Sequence, residues 1–345
     1  MESIIFSTQI AADLERFLKT KSFSKLGIIT DSNTYQACYP VIRKCLPVHE
    51  HFQFKAGEVN KTLTTCTKIW QWMTDCGFDR KSLIINLGGG VTGDMGGFCA
   101  STYKRGIKFI NIPTTLLSQV DASVGGKLGV DFNGFKNHIG VFNEPEAVII
   151  SDNFLSTLPL PELRSGYAEV IKHGLIRNEN YFRSLKFQNW QEQNWKDIIE
   201  KSVQIKKDVV TKDPKEDGLR KILNFGHTVG HAVESFYLDT ERHLLHGEAI
   251  AIGMIAEAYL SHHHIRLPKE DLNTITDTLL GIFGKVEIPE EDLNAIAQLC
   301  FQDKKNEGTT INCSLLKKIG ECDYNIAVSL EDIIASLNFY NTKHP

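Results

Sequence analysis

Three histidines and one glutamate in the second half of the chain have the side chains needed to bind a metal ion. His227 and His231 lie four residues apart in an apolar stretch, and His246 follows fifteen positions later. Glu169 lies upstream in another apolar segment. Imidazoles and carboxylates are zinc ligands, and a catalytic zinc site uses three protein ligands and keeps a position open for substrate. The pattern predicts a catalytic ion of the zinc type.

The spacing of His227 and His231 puts both rings on one face of a predicted helix. That arrangement suits two metal ligands, or one ligand and one substrate contact, and two core histidines would give it as well. A zinc peptidase needs glutamate directly after the first histidine. Thr228 occupies that position, which argues against this hydrolase class. The run of histidines at 262–264 ends a predicted helix and is interpreted as exposed, without a second metal site.

Residues 88–94, with the sequence GGGVTGD, match the pattern G-x-G-x-x-G between a predicted strand and a predicted helix. Glycines let the backbone approach a pyrophosphate, and the helix N-terminus offers N–H donors. A tight turn without a ligand is the alternative interpretation. No acidic residue clearly ends the next strand, so the strand order is expected to differ from the ordinary Rossmann order. Asp31 or Glu58 could bind a ribose instead. Together with the metal, the loop indicates an enzyme that uses a dinucleotide and a divalent cation.

Cationic and amide side chains recur beside glycines and apolar residues. Each one alone could be a solvated surface group, and Lys172 could form an exposed ion pair with Glu169, three residues away. Taken together they predict a pocket for a polyanionic substrate that carries a phosphate and a carboxylate. The members of this set are Arg105, Lys127, Lys136, Asn137, Lys206, Arg220, Asn224, Asp303, Lys304 and Lys305.

Apolar runs at 26–30, 82–87, 109–112 and 147–150 alternate with helix-length segments, which predicts a parallel sheet covered on both faces. Helical periodicity then dominates, at 163–176, 195–210, 219–237, 247–264, 269–283 and 291–301. The expected fold is an α/β nucleotide-binding domain with a Rossmann-like sheet at 1–151. A mainly α-helical metal- and substrate-binding domain follows at 152–345, with the active site in the cleft between the two domains.

The composition is that of a globular protein, with 345 residues, 42% hydrophobic and 23% charged. A net charge of −4 gives no general attraction to nucleic acid or to an anionic membrane. Eight cysteines without a C-x-x-C pair predict reduced thiols. With no secretion signal or membrane-spanning run in the sequence, a cytoplasmic location without membrane or nucleic-acid partners is expected.

These motifs together resemble the 3-dehydroquinate synthase family of sugar phosphate cyclases. The resemblance runs from about residue 31 to the C-terminal region and therefore covers both predicted domains. The segments that carry it are 88–94, 103–106, 113–127, 136–140, 168–172, 224–231, 246–249 and 303–305.

The resemblance implies a role for each matching residue. The implied metal ligands are Glu169, His227 and His246, and the metal is normally zinc, with cobalt as an alternative. The implied holders of the NAD pyrophosphate are Gly89, Gly90, Val91, Thr92, Gly93 and Asp94. The rest of NAD would be framed by Asp31, Glu58, Lys61, Thr114, Thr115, Phe154 and Thr157, and Lys127 and Lys136 could face both ligands. The implied substrate contacts are Asp121, Lys127, Asn137, Lys172, Lys206, Arg220, Asn224, His231 and Lys304. Arg105 is implied to reach across a homodimer interface to the substrate phosphate.

The activity that the resemblance implies belongs to the shikimate pathway of aromatic amino acid biosynthesis. NAD transiently oxidises 3-deoxy-D-arabino-heptulosonate 7-phosphate, phosphate is eliminated, the hydride returns, and an aldol closure gives 3-dehydroquinate. One alternative is a cyclase for a sugar phosphate without a carboxylate, which would not need Arg220. Two others are a metal-dependent alcohol dehydrogenase that releases NADH and a catalytically silent binding protein.

Overall fold

The computed structural model describes residues 3–133, 135–238, 240–302 and 311–344. The chain divides into two compact units, Met1–Pro159 and Leu160–Pro345. The sequence places this boundary near residue 151, but a 3-10 helix at Asp152–Thr157 belongs to the first unit. The reason is packing, because Phe154 lies in the hydrophobic core of that unit and is only 3% exposed. Lys304, an expected substrate contact, lies outside the described residues.

The first unit is built on a six-stranded sheet in which all neighbouring strands are parallel. The strands of the sheet are β1 (Ile4–Phe6), β2 (Leu26–Asp31), β3 (Glu50–Phe54), β4 (Leu83–Gly88), β5 (Lys108–Pro113) and β8 (Val148–Ile150). Between β5 and β8 the chain forms a separate antiparallel hairpin from β6 (Lys127–Phe132) and β7 (Phe135–Phe142). The four predicted strands are confirmed as β2, β4, β5 and β8. Of the four strands that were not predicted, β1 and β3 lie at the edges of the sheet and are less buried, and β6 and β7 form the separate hairpin.

The strand order is β1-β8-β5-β4-β2-β3. It confirms the expectation of an order other than the ordinary Rossmann one, since β3-β2-β4-β5-β8 is the flavodoxin-like order. The chain passes from β2 to β3 on one side and from β4 to β5 on the other. The switch point therefore lies between β2 and β4, and ligands bind at the carboxyl ends of the strands at such a point. Asp31 ends β2 and Gly88 ends β4.

Helices cover both faces of this sheet, as predicted. They are α1 (Ile10–Lys19), α2 (Ser32–Ala37), α3 (Tyr39–Ile42), α4 (Leu63–Asp75) and α5 (Gly90–Thr102). Successive strand residues point to opposite faces. Ile28 accordingly packs in one core cluster with Leu14 of α1, and Ile29 packs in another with Ile69 of α4 and Phe98 of α5.

The second unit is mainly helical, as predicted. Its helices are α6 (Leu160–Arg177), α7 (Glu179–Ser184), α8 (Trp195–Lys212), α9 (His227–Tyr237), α10 (His246–Ile265), α11 (Lys269–Phe283), α12 (Glu290–Leu299) and α13 (Leu330–Asn341). It also contains an antiparallel hairpin that was not predicted, β9 (Ile311–Lys318) and β10 (Glu321–Val328). Among the described residues, no helix combines the length and the apolarity needed to cross a bilayer.

The predicted helix at 219–237 is wrong as a single element. Residues Leu219–Asn224 form a 3-10 helix, and α9 begins only at His227. Between them Gly226 has a φ of +79°, the left-handed conformation that glycine adopts without steric cost. A Cβ at this position would also lie 2.4 Å from Cγ of Met254. The break is therefore specified by a backbone conformation that helical periodicity does not reveal.

Candidate functional site

Glu169, His227 and His246 meet in the second unit, each from a different helix. The distance from Oε1 of Glu169 to Nε2 is 3.5 Å for His227 and 3.7 Å for His246. All three ligand atoms lie within 4.8 Å of one another. Two ligands of a tetrahedral zinc ion with bonds of about 2.0–2.1 Å are roughly 3.4 Å apart. The donor types and spacing fit one zinc-type ion.

Close packing of helix backbones brings these ligands together. His227 and His246 are the first residues of α9 and α10. A Cβ at Gly253 of α10 would lie 2.0 Å from the carbonyl oxygen of Gly226, and one at Gly247 would lie 2.1 Å from that of Ser165 in α6. Only glycine permits such approaches, so the three ligand-bearing helices are in direct backbone contact.

Neighbouring groups orient the two imidazoles. Nδ1 of His246 lies 3.3 Å from Oε2 of Glu234, and Nδ1 of His227 lies 3.2 Å from the carbonyl oxygen of Phe225. These contacts leave both Nε2 atoms facing Glu169, as is usual when a histidine binds a metal. Sequence reasoning missed Glu234, although its position three residues after His231 on the same helical face was a usable signal.

The pKa values of the two imidazoles shift in opposite directions. Burial lowers the pKa of His227 well below 6.5, and the Lys172 ammonium adds to this effect. Burial alone would lower the pKa of His246 too, but Glu169 and Glu234 outweigh it and raise this pKa to about 9. The carboxylates thus favour a positive charge at His246, and a bound metal ion would supply that charge.

The ion pair of Lys172 and Glu169 is buried, so its interpretation as an exposed pair is wrong. The side chains of Lys172 and Glu169 are 1% and 0% exposed, and Nζ of Lys172 contacts Oε2 of Glu169. Lys206 of α8 and Arg220 are also buried, with 6% and 2% exposure. Lysine and arginine are almost never so buried unless they are paired. The second unit therefore holds several of the predicted cations in its interior.

Asn224 lies three residues before His227, and its side-chain amide donates to Oε1 of Glu216 at 2.7 Å. Arg220 donates from Nη1 to the carbonyl oxygen of Pro214 at 2.7 Å. The loop before this segment thus supports both expected substrate contacts. Glu216 was also missed, because it lies in a loop without periodicity. Its φ of +67° places it in a conformation that sequence patterns do not indicate.

His231 lies one helical turn after His227 in α9, beside the three metal-ligand side chains. The centroid of its ring lies 4.9 Å from that of His227 and 5.8 Å from that of His246. The predicted placement of His227 and His231 on one helical face is therefore confirmed, and His231 lies beside both histidines of the ligand cluster.

The glycine-rich loop of the first unit has the geometry expected for binding a phosphate. It connects β4 directly to α5, and Gly89 is the N-cap residue without a capping side chain. Gly88, Gly90, Gly93 and Asp94 line a shallow recess at this point. Backbone N–H groups at a helix N-terminus bind anions. The loop therefore fits a pyrophosphate.

The other expected cofactor residues lie along the carboxyl edge of the sheet. Asp31 accepts a weak hydrogen bond from Oγ1 of Thr92 at 3.4 Å, across the switch point. Thr114 directly follows β5, and its backbone N–H donates to the carbonyl oxygen of Gly88 at 3.0 Å. Phe154 follows β8. Because these strands are parallel, the residues after their carboxyl ends gather at one edge.

Several expected cofactor residues make contacts within the first unit. Val91 packs against one core cluster, and Oγ1 of Thr115 donates to Oγ of Ser118 at 2.9 Å. Thr157 donates to the carbonyl oxygen of Phe154 at 3.4 Å, and Glu58 begins a short 3-10 helix.

Lys61 connects the glycine loop to the β6–β7 hairpin. Its ammonium donates to Oδ2 of Asp94 at 2.7 Å and to Oδ1 of Asn137 at 2.6 Å, and the residue is 3% exposed. Burial alone would lower the pKa of Lys61, but the carboxylates of Asp94 and Glu58 raise it. The same hairpin carries Lys127 and Lys136.

Arg105 and Asp121 are the two remaining expected site residues of the first unit. Arg105 is exposed and ends a 3-10 turn, with a φ of +70°. Asp121 lies in a short π-helix at Ser118–Ala122. All eight cysteines are free thiols, which confirms that part of the prediction.

Comparisons with known proteins cover both units. The 3-dehydroquinate synthase N-terminal family matches residues 51–165, and the 3-dehydroquinate synthase C-terminal family matches residues 166–306. The 3-dehydroquinate synthase of Parabacteroides distasonis is 41% identical over 98% of this chain and 98% of its own.

Solved cyclase structures are also similar. A 2-deoxy-scyllo-inosose synthase complexed with carbaglucose-6-phosphate, NAD+ and Co2+ has a TM-score of 0.84 and 27% identity, covering 97% of this chain and 96% of its own. The 2-epi-5-epi-valiolone synthase of Streptomyces hygroscopicus, with NAD+ and Zn2+ bound, has a TM-score of 0.86 and 25% identity, covering 99% and 96%. Together with the three metal-ligand side chains and the glycine-rich loop, these matches show that the chain belongs to the 3-dehydroquinate synthase family.

Proposed function

We propose that this chain converts 3-deoxy-D-arabino-heptulosonate 7-phosphate into 3-dehydroquinate and phosphate, with NAD and one divalent metal ion as cofactors. The observation that carries the proposal is the cluster of Glu169, His227 and His246, in a chain 41% identical over nearly its full length to a 3-dehydroquinate synthase. The structures of two related cyclases contain NAD+ with Co2+ or Zn2+, which supports the same cofactor pair here.

The buried cations support the chemistry that this reaction needs. Bound metal makes a coordinated hydroxyl easier to deprotonate, and bound NAD accepts a hydride and returns it. The Lys172 ammonium, beside Glu169, can donate a hydrogen bond to a substrate hydroxyl. His231, close to both metal histidines, can accept or return a proton. Burial strengthens the hydrogen bond from Lys172, which is 1% exposed, because water does not compete with it.

Arg220 favours the proposed substrate, which has a carboxylate, over sugar phosphates that have none. Its guanidinium can form two parallel hydrogen bonds to a carboxylate, which a lysine cannot reproduce. The site residues Arg220 and Asn224 lie on one short 3-10 segment that leads to His227, so a carboxylate bound there would be held at a fixed distance from the metal ligands.

The test is an assay with 3-deoxy-D-arabino-heptulosonate 7-phosphate, catalytic NAD+ and Zn2+, following phosphate and 3-dehydroquinate together. Equal amounts of both products without net NADH are expected. Glucose 6-phosphate and sedoheptulose 7-phosphate are run in parallel, and activity only on these would refute the substrate assignment. Net NADH would indicate a dehydrogenase. An R220K variant should lose activity with the carboxylate substrate, whereas K221R, at the neighbouring position, serves as the matched control.

We also propose that the chain acts as a homodimer in the cytoplasm, with Arg105 completing the partner's site. The exposure of Arg105 and the eight free thiols support these two parts of the proposal. R105A and H227A should each be inactive, and co-expression of the two should restore activity, because a mixed dimer contains one site with both residues intact. Co-expression without recovery, in a sample shown to contain mixed dimers, would refute the role of Arg105.

A further inference from the structure

Glu257 of α10 is a fully buried carboxylate outside the set of expected site residues. It is 0% exposed. Its Oε2 accepts a hydrogen bond from the backbone N–H of Gly226 at 2.7 Å, and its Oε1 accepts one from that of Val229 at 3.1 Å. Both donors belong to the N-terminal turn of α9. A buried carboxylate needs a strong reason to be retained, and these two bonds identify one.

The N-terminal turn of α9 cannot cap itself. The first N–H groups of any helix lack partners within the helix, and a side chain at the N-cap position usually accepts from them. Gly226 occupies the N-cap position of α9 and has no side chain to do so. Glu257 supplies the missing acceptor from a different helix. Its negative charge also lies at the positive end of the α9 dipole, where carboxylates are stabilising.

The capped turn carries a metal ligand. His227 directly follows Gly226, so the two hydrogen bonds that Glu257 accepts restrain the peptide units on either side of this ligand. Helix α10 itself begins with the ligand His246. At Gly253 and Met254 the same helix is in close contact with Gly226. One helix thus carries one ligand and holds the backbone of another.

We propose that Glu257 is a positioning residue for the metal centre, which fixes His227 relative to His246 by capping α9 from α10. This inference rests on the metal assignment in the proposed function. It adds to that assignment, because metal binding would then require a residue besides the three ligands. The spacing of the two histidines would depend on Glu257, which lies eleven positions after His246 in α10.

The test compares metal binding by the wild type and by E257Q, both stripped of metal and titrated with Zn2+ against a competing chelator. Glutamine has a single acceptor oxygen and no charge, so one N–H of the turn loses its partner. Loss of a group that orients a ligand typically weakens metal binding about 10–100-fold, and we expect a loss in this range. The absorption spectrum of the Co2+-loaded protein should also change, because it reports ligand geometry directly.

S329A is the matched control. Oγ of Ser329 accepts from the backbone N–H of Asp332 at 3.1 Å and caps α13, which carries no metal ligand. This variant also loses a helix cap in the second unit. It should lower the melting temperature while its Zn2+ affinity and Co2+ spectrum stay those of the wild type. A purely structural role for Glu257 would make E257Q behave in the same way.

The outcomes separate the two proposals. If the wild type binds no metal, the proposed function fails. If the wild type binds Zn2+ and E257Q binds it within about twofold of the wild type, the positioning role is overturned. E257D provides a second test if E257Q does not fold, since its shorter side chain cannot hold both N–H groups at the present distances. Wild-type affinity in folded E257D would overturn the role too.

Discussion

Replacing Gly253 with alanine should destroy the metal centre by adding a single methyl group. The new Cβ would lie 2.0 Å from the carbonyl oxygen of Gly226 and 2.6 Å from the nitrogen of Gly230. The three nearest atoms are backbone atoms of Gly226 and Gly230, so no side chain can turn away to relieve the contact. Ordinary contacts begin at 3.4 Å, and the difference, 3.4 − 2.0, requires the two helices to separate by 1.4 Å.

A separation of this size is large compared with what a metal site tolerates. Metal–ligand distances are held to about ±0.2 Å, and α9 and α10 each carry one of the histidine ligands. A misplacement of about 1 Å in an active site can lower the rate about 100-fold. Overpacking also costs about 1–3 kcal/mol of stability. We therefore expect G253A to bind Zn2+ at least tenfold more weakly and to lose activity about 100-fold.

The assay measures bound Zn2+ after dialysis, turnover with saturating Zn2+, and the melting temperature. G281A is the matched control, because Gly281 is also a helical glycine, but a Cβ added there would have no atom within 4 Å. Alanine there should raise stability by about 0.4–1 kcal/mol and leave activity unchanged. If G253A keeps wild-type Zn2+ content and turnover, backbone contact between α9 and α10 does not set the ligand spacing.

Three further predictions follow from the same contacts. K61M removes the donor of two partly buried hydrogen bonds, to Asp94 and Asn137, and should weaken NAD binding at least tenfold by calorimetry, since such charged bonds contribute about 1.5–3 kcal/mol each; unchanged affinity would contradict this role. Metal-free protein should melt at progressively lower temperature as the pH rises from 6.5 to about 9. The pKa of His246 is 6.5 in the unfolded chain and is raised to about 9 in the folded protein, so the protonated imidazole stabilises the fold. This stabilisation is complete below pH 6.5 and is lost as the pH rises from 6.5 to about 9. H246Q should flatten that profile, and an equally steep profile in H246Q would assign it to another group. A chelator should abolish turnover, and Zn2+ or Co2+ should restore it, while NAD binding to the first unit persists; turnover that survives complete metal removal would refute the metal's role.

Features that depend on a single segment of the chain could be predicted from its local sequence pattern. The loop at 88–94 showed its position between strand and helix by composition, and the spacing of His227 and His231 matched one face of α9. By contrast, burial of the Glu169–Lys172 pair depends on other helices that cover it, and three-residue spacing is the same for an exposed pair. The edge strand β1 has only three residues, too few for a pattern.

The remaining features could not be predicted from the sequence because they depend on contacts between residues far apart in the chain. The break before α9 results from the contact of Gly226 with α10, and Glu257 acts on a turn 28 and 31 residues away in the chain. Nothing near position 257 in the sequence indicates that its carboxylate would face backbone donors. Such roles appear only once the packing of helices is known.

The pairing of β1 with β8 has a consequence for how the first unit is made. Ile4 lies opposite Val148, and Phe6 lies opposite Ile150, so the first strand of this unit in chain order completes the sheet only with the last one. Closing so long a loop is entropically costly and slow compared with local contacts. The edge of β8 should remain open until β1 docks on it, and an unpaired parallel edge is prone to aggregation. Deletion of β1 would therefore impair folding yield during synthesis more than it impairs catalysis in molecules that have already folded.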